Sequence, residues 1–205
     1  LKGIKHFVTI PGVFHADKVI VQSEAMKKAY VKILTDYAGK DTKAVWEKKI
    51  EGTGSPKFEK ILSLKKEDVD IPEEWKKYIE NPDGTKKKII FYNTSVGALL
   101  KYEEKMLDKM KKVFETFREN RDSVVLLWRP HPLIEATISS MRPQLRQAYE
   151  TIVNEYKNEA WGIYDDTADM DRAVIISDAY YGDWSSIVWL CKKIGKPIMI
   201  QNVEV

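Results

Sequence analysis

Val124-Val125-Leu126-Leu127-Trp128-Arg129-Pro130-His131-Pro132 is the stretch that decides the fold. Five consecutive apolar residues without alternation fit a strand buried on both faces, which is the condition of a parallel sheet covered by helices. The run ends abruptly in a cation and a histidine between two prolines, a stiff loop that cannot open directly into a helix. The same alternation of elements extends to either side. Upstream, Ile89–Tyr92 is a short apolar run. Leu99–Arg118 then carries helical spacing at Leu99, Leu100, Met106, Leu107, Met110, Val113, Phe114 and Phe117. Downstream, a helical stretch over about Ile134–Tyr156 is broken or restarted near Pro143. Trp161–Tyr164 and Val174–Ser177 read as strands, with a brief helical turn at Ala168–Arg172 between them. Ser186–Ile194 reads as a helix closed by Gly195, and Pro197–Gln201 as the last strand. Short apolar strands alternating with helices predict an α/β domain with a doubly wound parallel sheet over residues 89–205.

The segment before it is different. Residues 63–88 are polar, with Pro72, Pro82 and an Asp83-Gly84 turn, and read as a connector. In residues 1–62, His6–Ile10 and Lys18–Gln22 look like strands. Ser23 caps a helix running to about Tyr37, Thr42–Lys49 is a shorter helix, and Ile50–Gly52 is strand-like and leads to Gly54-Ser55-Pro56. So few elements cannot close a domain, and they read as the tail of a preceding α/β domain. The start at Leu1-Lys2-Gly3, without an initiator Met, suggests a piece of a longer protein.

Composition narrows the partners. The chain has 205 residues, 43% of them hydrophobic and 32% charged, which is globular rather than disordered composition. Its net charge is +3, unevenly placed: 19 basic against 14 acidic residues up to Lys88, and 15 against 17 beyond. Nucleic-acid binders carry a larger or more clustered excess, so no nucleic-acid partner is expected. The single Cys191 excludes an intramolecular disulfide, and it falls on the apolar side of its helix as inert packing. No apolar run is long enough to span a bilayer.

Open α/β sheets bind ligands beyond the carboxyl ends of their strands. The four predicted strand ends are Tyr92-Asn93-Thr94-Ser95, Arg129–Pro132, Asp165-Asp166-Thr167, and Asp178-Ala179-Tyr180-Tyr181-Gly182-Asp183-Trp184-Ser185-Ser186. The last places a glycine and two serines at a helix N-terminus, where backbone N–H groups, hydroxyls and the helix dipole favour phosphate. Plain capping by Ser185 or Asp183 is the alternative. Arg129 suits bidentate contact with phosphate. His131 can donate to phosphate oxygens or protonate a leaving group; otherwise it is a histidine bonded to a loop carbonyl. Neither a GxxxxGK[ST] nor a GxGxxG motif occurs. His6 and His15 read as structural, and three scattered histidines give no metal site. Asp169-Met170-Asp171 belongs to a short helix, so no metal and no other cofactor is expected. The Lys86–Lys88 and Lys111-Lys112 runs read as solvated faces, and Trp184 as a residue lining the pocket beside the phosphate turn.

Taken together, Gly54-Ser55-Pro56, the strand ending in Asn93-Thr94-Ser95, the Arg129-Pro130-His131-Pro132 loop and Ser177-Asp178 … Gly182-Asp183-Trp184-Ser185-Ser186 resemble the CDP-glycerol glycerophosphotransferases, the teichoic-acid polymerases of the bacterial envelope. Lys196-Pro197-Ile198-Met199 matches the strand that follows in that family. The resemblance covers about residues 18–202 and implies a GT-B architecture, in which 89–205 is the Rossmann-like donor domain. It further implies transfer of a polyol phosphate, glycerol phosphate first, from a CDP-activated donor to a polymer or lipid-linked acceptor. His131 and Arg129 would be catalytic; Ser185, Ser186, Asp183, Gly182, Asp178, Ser95, Asn93 and Ser55 would hold the donor. The acceptor-side base would lie in an N-terminal domain that is largely missing here. A cytoplasmic location, peripheral to the inner face of the membrane, is implied in the same way. This sequence departs from the family pattern in the four residues Ala179–Gly182, which lengthen the late loop and make it more aromatic. Bacterial sialyltransferases using CMP donors share a similar His-Pro and Ser-Ser pairing, so a GT-B glycosyltransferase with a nucleotide sugar is the second reading. A UDP-sugar enzyme commonly has a Glu near the last strand, where this chain has Gln201-Asn202 and, slightly later, Glu204. A non-catalytic α/β module that binds a protein partner is the third.

Overall fold

A computed structural model describes Lys2–Gln201 and Val203 and divides into two units at Lys60/Ile61. Asn202 and Glu204 lie outside the described residues.

The first unit holds helices α1 (Lys5–Val8), α2 (Pro11–His15), α3 (Glu24–Ala38) and α4 (Lys43–Lys49), the strands β1 (Val19–Ile20) and β2 (Ile50–Glu51), and the start of α5 (Pro56–Ser63). β1 and β2 pair in parallel, Val19 opposite Ile50. Val8, Leu34 and Ile50 are its most buried apolar residues. The Ser23 hydroxyl accepts from the Met26 N–H at 3.2 Å, the cap expected for α3. His6–Ile10 is not a strand: its alternation is β-like, yet only Val8 is buried, and Pro11 pre-sets a new helix at its first position.

In the second unit, residues 63–88 hold more than a connector. They carry α6 (Glu73–Ile79), with Trp75 buried, and a Glu80–Lys86 antiparallel bridge around the Asp83-Gly84 turn. Beyond them run β3 (Lys88–Thr94), α7 (Val96–Tyr102), α8 (Glu104–Glu119), β4 (Val124–Pro130), α9 (Ile134–Met141), α10 (Arg146–Glu159), β5 (Ile163–Tyr164), α11 (Met170–Ile176), β6 (Ala179–Gly182), α12 (Ser186–Lys193) and β7 (Ile198–Ile200). The five strands form one wholly parallel sheet in the order β5-β4-β3-β6-β7. Tyr92 and Trp128 point to the face covered by α7–α10, where Leu99, Met110, Ile138 and Tyr149 complete a core. Phe91 and Tyr180 meet at 5.6 Å on the opposite face, under α11 and α12.

Two further elements differ from expectation. The helix expected over Leu99–Arg118 is two helices, parted at Glu103, whose φ is +47°. The strand expected at Val174–Ser177 is the end of α11, and the strand itself is Ala179–Gly182. Ala173–Ile176 is buried on every side, and an apolar run of that length has no period to tell helix from strand.

The topology locates the site. The chain lays down β3, β4 and β5 outward in one direction, then returns across the sheet to add β6 and β7 on the other side of β3. Strand order therefore reverses between β3 and β6, and the carboxyl ends of these strands are where open α/β sheets form their ligand crevice.

Candidate functional site

β3 and β6 meet closely at the crevice because Gly182 ends β6. Its φ is +134°, and a Cβ there would collide with the Asn93 carbonyl oxygen. The turn that follows is pinned from several sides. The Asp183 N–H donates to Asn93 O at 3.0 Å, and the Asp183 carboxylate accepts from the Ser95 N–H and from Lys109 Nζ, both at 2.6 Å. Lys109, on α8, also donates to Gln201 O at 2.8 Å. The Asp183 and Lys109 side chains are 5% and 6% exposed. The Ser95 hydroxyl caps α7 by accepting from Ala98 N–H. The Ser185 hydroxyl caps α12, accepting from Ile187 N–H at 3.3 Å and donating to Asn93 Oδ1 at 3.4 Å. Ser185 is half-buried, while Ser186, at the first position of α12, is exposed. The turn thus combines capping by Ser185 with a second hydroxyl turned outward at the positive end of an eight-residue helix.

On the other flank of β3, the His131 N–H donates to Thr94 O at 3.0 Å, so the loop after β4 is tied to the residue next to Asn93. The imidazole is exposed. Its Nδ1 accepts from the Leu133 N–H at 3.2 Å, which places the ring proton on Nε2. His131 in this state offers an N–H donor through Nε2. Arg129 is buried, donating to Asp165 Oδ2 at 2.6 Å and Thr167 O at 2.7 Å, and Thr167 in turn bonds Asp165 Oδ1 through its N–H and hydroxyl. Its guanidinium charge is therefore compensated within the protein. A cavity of about 240 Å³ opens beside it, lined by Arg129, His131, Glu135, Tyr149, Tyr164 and Thr167 among others.

The structure brings Asn93, Ser95, Arg129, His131, Gly182, Asp183, Ser185 and Ser186 to one edge of one sheet. Two further residues are elsewhere. Asp178 precedes β6 rather than following a strand, so it stands at the amino edge, where its carboxylate accepts from the Ile89 N–H at 2.8 Å and from Lys66 Nζ at 2.9 Å. Burial pushes this carboxyl up, and those two donors outweigh it to leave it below its ordinary value. Its assignment to donor binding is corrected to a structural clasp, because the strand it was read as following is a helix. Ser55 belongs to the first unit, where its carbonyl accepts from Phe58 and Glu59 N–H groups at the start of α5. Asp183, expected among the residues that hold the donor, has its carboxylate occupied inside the protein by the Ser95 N–H and Lys109 Nζ.

Lys109 was not singled out from the sequence, and Asp165 only as part of a strand end, without a role of its own. Lys109 had a signal: it lies three residues after Met106 and four before Val113, on the stripe of α8 where only apolar residues are expected. Asp165 had none beyond following a strand. Trp184 is exposed at the turn, with Trp189 edge-on to it at 6.0 Å. Among the described residues, no three His, Cys, Asp or Glu side chains gather as a metal site would require, and no helix is long and apolar enough to cross a membrane.

Fold and site together define a doubly wound α/β protein with a serine-bearing turn at a helix N-terminus beside its switch point. Compared with known proteins, the chain matches no family model and no curated protein.

Proposed function

We propose that the second unit is the donor-binding half of a GT-B transferase that moves a polyol phosphate, glycerol phosphate first, from a CDP-activated donor to a wall-polymer hydroxyl. The carrying observation is that His131 and the Ser185-Ser186 turn flank the same strand end, bonded to the adjacent residues Thr94 and Asn93. Two strand spacings separate them, about 10 Å, a span that a nucleoside diphosphate can bridge. The diphosphate lies across the end of β3, with Ser186 and the N-terminus of α12 on one side and His131 Nε2–H on the other. The nucleoside extends into the cavity beside Arg129.

In the reaction, the acceptor oxygen bonds to the distal phosphorus while the bond from that phosphorus to the bridging oxygen breaks, and CMP leaves with the electron pair. Charge grows on the leaving phosphate, which requires hydrogen-bond donors rather than a proton, and His131 Nε2–H meets that need. Arg129 acts through Asp165 and Thr167 by shaping the cavity wall. The acceptor hydroxyl gives its proton to a base on the acceptor side, a role that no residue of the crevice takes. Association with the cytoplasmic face of a membrane through a lipid-linked acceptor belongs to the same reading.

A nucleotide sugar is the alternative donor that one observation favours: an exposed indole at Trp184 suits stacking against a ring more than contact with glycerol. Calorimetric titration with CDP-glycerol, CMP-sialic acid and UDP-glucose separates these. CDP-glycerol is expected to bind, and Ser185→Ala/Ser186→Ala to weaken it about tenfold or more. Equal affinity in wild type and double variant removes the turn from the site; binding of a sugar nucleotide alone replaces the donor.

A further inference from the structure

The crevice retains buried polarity that a sheet designed for stability would not carry. Among the described ion pairs, two are buried on both sides, Lys109–Asp183 and Arg129–Asp165, and both stand at the carboxyl edge. Of the four buried side-chain polar atoms without a partner among the described residues, Tyr92 Oη and Gln201 Oε1 belong to residues of this same neighbourhood. Tyr92 is fully buried on β3, and Gln201 receives Lys109 through its main-chain oxygen. Burial first, and then the nearby Asp183 carboxylate, push the Tyr92 phenol well above its usual range. An apolar residue at 109 would pack on the stripe of α8 without desolvating an ammonium, and replacing buried pairs by apolar groups is often neutral or stabilising. Concentration of such groups at one edge marks a place where stability yields to function.

What the pair does is visible in its bonds. Lys109 reaches from α8 to Asp183 in the β6–α12 turn and to Gln201 beyond β7; Asp183 reaches on to the Ser95 N–H in the β3–α7 turn and, through its own N–H, to Asn93. One ammonium thereby holds three segments of the carboxyl edge in a single arrangement, and Ser185 follows Asp183 by two residues. We propose that Lys109 is a positioning residue: acting through Asp183, it sets the geometry in which Ser185, Ser186 and the N-terminus of α12 meet an anion, without touching that anion itself. The inference rests on the donor reading for the identity of the anion, but not for the positioning.

The test uses the whole chain with Lys109→Met and with Lys109→Met/Asp183→Asn, the second so that no lone charge is left buried. Amide hydrogen exchange is read at Ser95 and at residues 183 and 187, whose N–H groups are bonded, with Ile89–Tyr92 in β3 as internal control, and CDP is titrated calorimetrically. In the double variant, exchange at the two turns is expected to rise about tenfold or more while the β3 amides stay protected, and CDP affinity to fall about tenfold. If Lys109→Met alone does not fold, the double variant carries the test. Turn exchange unchanged in a folded double variant overturns the inference whatever CDP does, as does uniform loss of protection through β3, which would make the pair merely structural. Should wild type bind no CDP while the turns alone loosen, the donor reading falls and the positioning role stands.

Discussion

At the scale of single residues, the crevice is a set of side chains with assigned bonding capacity. His131 has one ring nitrogen satisfied by Leu133 N–H and the other turned outward as a donor. On the proposed donor reading, His131→Ala is expected to weaken CDP binding about tenfold, the loss of one hydrogen bond to a charged group, while His131→Gln, which keeps an N–H donor, recovers part of it by the same titration. Equal losses in both would mean that the ring itself, and not its N–H, is what the ligand needs. Gly182 is constrained more tightly. With φ at +134° and the Asn93 carbonyl where a methyl would go, Gly182→Ala is expected to destabilise the protein by at least about 2 kcal/mol, read from the urea midpoint. A change under about 0.5 kcal/mol would mean that β6 can move off β3 without cost.

Among the elements, α10 ends in Ala160 with φ +53° and ψ +39°, a left-handed cap held by a residue with a Cβ. Ala160→Gly is expected to raise stability by about 0.5 to 1 kcal/mol, visible as an upward shift of the thermal midpoint; a fall would show that the Cβ has a packing role that outweighs the strain. The elements are also where the legibility of the sequence can be judged. β3, β4, α10 and α12 could be read because amphipathic stripes, doubly buried runs and breakers such as Pro143 and Gly195 act locally. The break at Glu103 could not, since a positive φ at a glutamate is imposed by how α7 and α8 pack. α11 and β6 were exchanged because Ala173–Ile176 is apolar without period while Ala179–Gly182 contains two tyrosines and ends in glycine. That one exchange moved Asp178 to the wrong edge, whereas His131, Ser185 and Ser186 kept their places because the loop and helix carrying them have strong local signals. The Lys109–Asp183 pair joins residues 74 positions apart, and only the tertiary structure brings them together.

For the molecule as a whole, the charge clasp at the amino edge predicts a response to acid. Asp178 is held below its ordinary value in the folded protein and returns to it on unfolding. Its contribution is thus fully present above the ordinary carboxylate value, about 3.9, and is lost as pH falls through the lower folded value. Asp178→Asn is expected to be less stable than wild type at pH 6 in urea, with the difference shrinking below about pH 4. A gap that persists unchanged to pH 3 would assign the effect to geometry rather than charge.

The reversal of strand order has a consequence in time. The outward run β3, β4, β5 can assemble from near neighbours in the chain, but Ser95 and Asp183 are 88 positions apart, and the β6–α12 turn does not take its place beside β3 until the chain doubles back. The turn that carries Ser185 and Ser186 is accordingly a late acquisition of the folding chain, and a nascent polypeptide stalled before β6 would hold a half-sheet without it.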